Sequence, residues 1–295
     1  MAKEDIYSLI RARYGAPVSA IPLADSIEEA TRTIASENPT LETLLRHRSI
    51  RNFLPEKLPE GSLEVIVAAA QSAATSSNLQ TWSVVAIQDP ERKDEAATLC
   101  GDQDFIRRAP LFLLFCADLS RLTKVSKQHG LRGEGLEFTE MFLMASLDAG
   151  LAGQNATLAA EALGLGACYV GAARNKPREL ANLLGLPERV IAVFGIAVGK
   201  PDLEKNIAKI KPRLPLREVL HLETWEEVKE NGEGWKGDEN LRSYDDTLAT
   251  FNAGEKREGI PAWTQRSAQR IETVQSLHGR HVLRDVLKEK GFQLR

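Results

Sequence analysis

Residues Glu137–Leu163 form one long helical pattern, EFTEMFLMASLDAGLAGQNATLAAEAL, with no proline inside it. Alanine, glycine and methionine dominate it. Small side chains along a helix let neighbouring backbones approach closely. The chain is therefore expected to use this segment as a central core helix, with a subunit interface as a further place for it. Glu140, Asp148, Gln154 and Asn155 interrupt the apolar pattern, which rules the segment out as a membrane span.

Strand signals flank this helix. Trp82–Ile87 reads as a strand stopped by Asp89-Pro90. Pro110–Cys116 (PLFLLFC) is continuously apolar, the pattern of a strand buried on both faces. Ala167–Val170 is a short strand. Val190–Val198 is another buried one, closed by Gly199 and Pro201. Helices are expected from a Thr40 cap through Arg46 and over Leu63–Ala74, Glu91–Leu99, Pro177–Leu184, Asn240–Phe251, Trp263–Leu277 and His281–Lys290. A glycine-rich polar stretch, Asn231–Asp238, sets off the helical tail. Roughly four strands among helices, without βαβ alternation, predict an α+β fold. A Rossmann dinucleotide domain is not expected: Gly164-x-Gly166 follows a helix, and no G-x-G-x-x-G follows a strand.

Residues 1–39 read as an N-terminal helical extension, and residues 40–295 as the main domain with a C-terminal helical extension. The extension holds a helix over Lys3–Arg13, a Gly15/Pro17 break and a second helix at Ser26, with Glu29 completing a capping box. Asn38-Pro39 reads as a turn.

Charge narrows the function. Lys and Arg number 38 against 41 Asp and Glu, for a net charge of -3, so no nucleic-acid partner is expected. Cys100, Cys116 and Cys168 are far apart and suit neither a disulfide framework nor zinc. The five histidines are scattered, and no metal site is expected. The charged N-terminus lacks the apolar core of a signal peptide, which points to the cytoplasm and no membrane association.

Four polar clusters carry the candidate chemistry. His47-Arg48-Ser49-Ile50-Arg51 places two guanidinium groups and a hydroxyl where they can clamp a phosphate; a solvated basic patch is the plainer reading. Thr75-Ser76-Ser77-Asn78-Leu79-Gln80 could bind sugar hydroxyls or a heterocycle edge, or be an ordinary polar loop. Gly164–Asn175 contains small residues after a short strand, which permits backbone N–H groups to approach a flat ligand; a tight turn would look the same. Lys211-Pro212-Arg213 holds two cations on an extended segment, as a second clamp or a surface loop.

In this order, HRSIRNF, SAATSSNLQTWSVV, GDQDF, the long helix through GLGACYVGAARN, VFGIAVGKPD and KPRLP resemble the NAD(P)H-dependent nitroreductase and flavin reductase family, on the oxygen-insensitive major nitroreductase side. The resemblance covers residues 40–295. It implies an α+β, nitroreductase-like three-layer α-β-α fold with a mostly antiparallel sheet, assembled as an obligate homodimer. It implies FMN as cofactor, NADPH or NADH as co-substrate, and a small-molecule acceptor such as a nitroaromatic, a quinone or free flavin. No side chain would be catalytic, because the flavin N5 carries the hydride in a ping-pong exchange. By resemblance, His47, Arg48, Ser49 and Arg51 would hold the phosphate and ribityl chain, joined by Lys211 and Arg213. Thr75, Ser77 and Gln80 would contact the flavin, as would Gln103 with Phe105 beside it. Val170, Gly171 and Ala172 would offer backbone groups near N5; relatives often have a second glycine where this chain has Ala172. Glu140 and Arg280 would line the acceptor pocket, and Lys256 and Arg257 would meet the 2′-phosphate of NADPH. The alternatives are another reaction on the same fold (dehalogenation, disulfide or metal-complex reduction) and a non-catalytic flavin-binding protein.

Overall fold

The computed structural model describes residues 6–14, 38–205, 209–225, 237–257 and 259–295. The expected helix at Ser26 and most of the Asn231–Asp238 stretch lie outside the described residues. In chain order the elements are α1 (Ile6–Tyr14), α2 (Pro39–Arg46), α3 (Ser62–Gln71), β1 (Trp82–Ile87), α4 (Pro90–Leu99), α5 (Asp104–Arg108), β2 (Leu111–Asp118), α6 (Ser120–Gln128) and α7 (Thr139–Ala162). They continue with β3 (Gly166–Val170), α8 (Pro177–Leu183), β4 (Val190–Gly199), α9 (Gly237–Gly254), α10 (Trp263–Ile271) and α11 (Leu283–Glu289). The chain divides into two compact units, one of Ser49–Ile207 with Leu277–Arg295 and one of Met1–Arg48 with Ala208–Ser276.

The first unit is built on one sheet in the order β1-β2-β4-β3, antiparallel throughout. Strand periodicity then sorts β2 between two helical layers. Leu111, Leu113, Phe115 and Ala117 pack with Ala145, Ala149, Ala152, Ala156 and Ala160 of α7. Phe112, Leu114 and Cys116 pack on the other side with Ala96 and Ala97 of α4, Ile106 of α5 and Leu180 of α8. A continuous apolar run is thus what a strand with no solvent face requires. The partner strand β4 changes parity midway: Ile191 and Val193 face the α7 layer first, Ile196 and Val198 afterwards. A bulge explains this. The register moves from Phe115↔Phe194 to Cys116↔Ala192, leaving an extra residue in β4.

One aromatic ring from each strand crosses the α7 side in sheet order. Trp82 stacks on Phe115 at 5.8 Å between centroids, Phe115 on Phe194 at 5.3 Å, and Phe194 meets Tyr169 at 5.3 Å. Such cross-strand contacts fix register beyond what burial alone does. Among the described residues no helix is long and apolar enough to cross a membrane.

The second unit holds α1, α2, α9, α10 and the Lys211–Arg213 segment. Helix α2 starts two residues earlier than the sequence suggests. Asn38 Oδ1 accepts hydrogen bonds from the Thr40 and Leu41 amides, each at 3.1 Å, and Pro39 takes the first helical position. The Asn38-Pro39 pair, expected to be a turn, is therefore the cap in place of Thr40. In α10 the difference runs the other way. The helix stops at Ile271 instead of Leu277, and the following segment breaks into short 3-10 turns with His278 at φ 51 and Gly279 at φ 87. Helices α5 and α6 have no counterpart in the expected elements. The former is too short to show a period, and the latter, SRLTKVSKQ, is mostly polar.

Gly195 lets β4 pass under the ring of Phe112: a Cβ there would lie 2.5 Å from two ring carbons. Gly195→Ala is expected to lower unfolding free energy by about 1–3 kcal/mol through overpacking, measured by urea denaturation. An unchanged midpoint would mean the ring has room to move.

Candidate functional site

The edge strand β3 ends at Val170 and turns at once into a 3-10 segment, Gly171–Arg174. Several expected site residues gather at this turn. A Cβ on Gly171 would find only guanidinium atoms nearby, Arg174 Nη2 at 3.6 Å and both Arg280 terminal nitrogens at 4.0 Å. Arg280 is delivered by the chain's last segment. Its Nε donates to Asn175 Oδ1 at 2.8 Å. The preceding Gly279 has φ 87, and a Cβ there would sit 2.6 Å from the Asn175 carbonyl oxygen, so only glycine permits this approach. Arg174 donates to the Val193 carbonyl, and burial pushes its pKa down from the usual guanidinium value.

Gln103 and Phe105 reach the same neighbourhood from the α4–α5 connection. A Cβ on Gly101 would lie 3.4 Å from Asn175 Nδ2, 3.5 Å from Ala172 Cβ and 3.9 Å from Gln103 Nε2. Gln103 Nε2 donates to the Cys100 carbonyl at 2.8 Å, which leaves the carbonyl oxygen and the second N–H of its amide for a ligand. Arg107 holds this connection in place by bridging Asp94 on α4 with Asp102 and Asp104, the residues on either side of Gln103. Phe105 is buried, and the Arg51 guanidinium carbon lies 5.8 Å from its ring centroid. Arg51 arrives because Ser49 bridges to Ala167 and the Ile50 amide donates to the Ala167 carbonyl at 2.9 Å. The first unit therefore gathers Arg51, Gln103, Phe105, Val170, Gly171, Ala172 and Arg280 about one strand end.

Other expected residues fall elsewhere. Thr75, Ser77 and Gln80 lie on the connection between α3 and β1, with Ser77 at φ 49 and Gln80 at φ 52. Glu140 stands exposed on the first turn of α7. It precedes Gly153, whose missing Cβ would lie 3.4 Å from Tyr169 Oη, by thirteen residues, roughly 20 Å of helix rise.

In the second unit the two cationic segments meet. Arg13, buried in the fold, donates from Nε to the Leu45 carbonyl at 3.2 Å, from Nη2 to the His47 carbonyl at 2.5 Å and from Nη1 to the Lys211 carbonyl at 3.2 Å. Its own carbonyl accepts from the Arg213 amide at 2.7 Å. Tyr244 on α9 closes the set by donating to the Pro212 carbonyl at 3.1 Å. His47 and the Lys211–Arg213 segment are thus bound to one buried guanidinium. Lys256 and Arg257 are exposed just beyond α9.

Two contributors escaped the sequence reading. Arg13 lies in the extension, where no motif marks it. Asp148 left only a trace, as an acid inside an alanine-rich helix. Among the described residues no three metal-ligating side chains form a group that could hold an ion. Nor do the thiols supply a nucleophile. Burial pushes Cys100 and Cys116 up to about 12, and raises Cys168 despite the opposing pull of Arg51.

The model of the nitroreductase family matches residues 44–200, and that of the nitroreductase family C-terminal domain matches residues 211–295. The FMN reductase (NADPH) of Bacillus subtilis is 37% identical over 259 residues, 86% of this chain and 98% of that protein. The NADPH-flavin oxidoreductase of Vibrio harveyi is 34% identical over 229 residues, 77% of this chain and 89% of its own length. Among solved structures, the NfrA1 nitroreductase from B. subtilis superposes with a TM-score of 0.78 at 36% identity, covering 86% of this chain and 99% of that one. The NADPH:FMN oxidoreductase from Vibrio harveyi complexed with NAD+ gives 0.75 at 32% identity, covering 88% and 100%.

Because burial raises the Cys100 and Cys116 values from 9.0 to about 12, the folded state keeps its thiol protons where the unfolded chain has lost them. Their contribution to stability is complete below pH 9.0 and is lost as pH rises towards about 12. At pH 8 a disulfide reagent is expected to leave the native thiols untouched and to titrate all three after denaturation. Rapid labelling of Cys100 or Cys116 in the native protein would contradict this burial.

Proposed function

The chain belongs to the nitroreductase family, and from that premise we propose that it passes electron pairs from NAD(P)H, through bound FMN, to small electron-poor acceptors in a ping-pong exchange. It is an FMN-dependent NAD(P)H oxidoreductase of the flavin reductase and nitroreductase type. The observation that carries the residue-level reading is the strand end at Gly171, where backbone, two guanidinium groups and an amide side chain converge.

The residues present fit the group. A bare glycine backbone flanked by cations leaves room for a flat ring and favours negative charge on it. When bound, FMN supplies the two-electron chemistry at one ring atom. The protein's own part is to bind, orient and tune. We assign the phosphate and ribityl chain to His47, Arg48, Ser49 and Arg51 with Lys211 and Arg213, because guanidinium groups make paired, charge-assisted hydrogen bonds to phosphate. Thr75, Ser77, Gln80, Gln103 and Phe105 contact the ring and its side chain, and Val170, Gly171 and Ala172 face its reactive edge. Arg280 meets anionic or nitro oxygens of the acceptor, with Glu140 contributed at the same pocket in the assembled protein. Lys256 and Arg257 receive the 2′-phosphate of NADPH.

The assembly we propose is a homodimer. Leu143, Leu147 and Leu151 on α7, exposed at 52%, 59% and 49%, form an apolar stripe at helical spacing. A stripe of this kind on a soluble protein calls for a partner surface. Residues 40–295 act as the FMN-binding domain with its C-terminal extension, and residues 1–39 as an arm whose Arg13 braces the cationic segments. Three buried, unpaired thiols accord with a cytoplasmic location.

Purified protein is expected to be yellow and to bleach anaerobically on adding NADPH; a cofactor that stays oxidised would sink the reductase reading. Arg51→Ala and Arg213→Ala should each weaken FMN binding by about tenfold or more, measured by fluorescence titration. Retention of wild-type affinity by both would remove the phosphate assignment. Arg280→Ala should raise acceptor KM severalfold with FMN content unchanged. Kinetics identical to wild type on several acceptors would exclude Arg280 from the pocket.

A further inference from the structure

We propose that Asp148 is a positioning residue for the flavin, setting the Thr75–Gln80 loop from the middle of α7. The proposal rests on the flavoprotein reading above and concerns a residue to which that reading gives no part.

Asp148 is only 2% exposed. Its Oδ1 accepts from the Ser76 amide at 3.1 Å, and its Oδ2 accepts from the Thr81 amide at 3.1 Å and the Thr81 hydroxyl at 2.8 Å. One carboxylate therefore ties both ends of the loop to one helix. Two turns later on α7, Asn155 Nδ2 donates to the Ala69 carbonyl at 3.2 Å and to Ser72 Oγ at 3.4 Å, fastening the end of α3 from which the loop departs. Between these anchors Ser77, Asn78 and Gln80 have φ of 49, 55 and 52. Non-glycine residues visit this left-handed region rarely, and three within four positions need support from outside the loop.

The chemistry of the brace also matters. An ionised carboxylate only accepts, and all three groups facing it donate. Burying it costs solvation that those donors offset, whereas a simple spacer between helix and loop could have been apolar at no such cost. By engaging Ser76 and Thr81, Asp148 leaves the Thr75 and Ser77 hydroxyls without an intramolecular hydrogen bond among the described residues. These are the two hydroxyls of the loop assigned to the flavin. The loop is thus held at its backbone while these two hydroxyls stay available to the ligand.

The test uses full-length apoprotein titrated with FMN, with circular dichroism and thermal midpoints recorded in parallel. Asp148→Asn keeps the shape but turns an N–H group towards donors. It should raise the FMN Kd about tenfold and alter the visible band of the bound flavin. Thr81→Val removes one of the three donors and should raise Kd about threefold; Thr81→Ser restores the hydroxyl and should match wild type. Wild-type Kd and spectrum in Asp148→Asn would overturn the proposal. So would affinity losses that merely follow the unfolded fraction. If Asp148→Asn does not fold, the Thr81 pair decides, and equal Kd for valine and serine overturns it. Wild-type protein that binds no FMN would bring down the flavoprotein reading and this proposal with it. Normal wild-type binding with unaffected variants removes only the role of Asp148.

Discussion

Strands β2 and β4 are covered on both faces, and the rest of the sheet unit depends on that constraint. A strand with no solvent side must have a helical layer above and another below. The α7 layer presents alanines to one face of β2, and α4, α5 and α8 present small and aliphatic side chains to the other. Once those layers are fixed, so is the position of everything attached to them. The edge strand β3 pairs along its length with β4, takes one bridge from Ser49, and ends where the sheet ends, at the Gly171 turn. The α4–α5 connection then brings Gln103 and Phe105 to that turn, and the Ser49–Ala167 bridge brings Arg51.

The site is electrostatic in character. Arg51, Arg174 and Arg280 surround a stretch of small residues, and the nearest thiols are held protonated by burial. Such a setting suits a family in which the cofactor performs the redox step and the protein stabilises the negative charge that results. In the second unit, Arg13 serves a comparable end through the backbone. It satisfies three carbonyls from two separate segments of the sequence, so that His47 and Lys211 are carried on segments bound to the same group.

The two buried strands, the long helix and the α+β class were legible because each is a repeating pattern. A sustained run of one period outweighs local exceptions, and β1 coincides with the expected Trp82–Ile87. The short helix α5 was not legible, since five residues complete barely more than one turn. The Asn38-Pro39 pair misled because the same two residue types that make a turn also cap a helix, and the helix-forming run from Thr40 onward selects the cap. The family was readable from ordered motifs. The geometry inside those motifs was not: nothing in GLGACYVGAARN reveals that Arg280, more than a hundred positions later, hydrogen-bonds Asn175.

By itself, then, the sequence determined the class of fold, through periodicity, and the family with its cofactor chemistry, through the order of its motifs. Only the tertiary structure decided that Arg13 gathers the cationic segments, that Asp148 grips both ends of the polar loop, and that four aromatic rings align across the sheet. Each of these joins residues far apart in the chain through three hydrogen bonds or ring contacts. A single contact at long range leaves no repeat in the sequence, and it acquires a partner only when packing brings the two sites together.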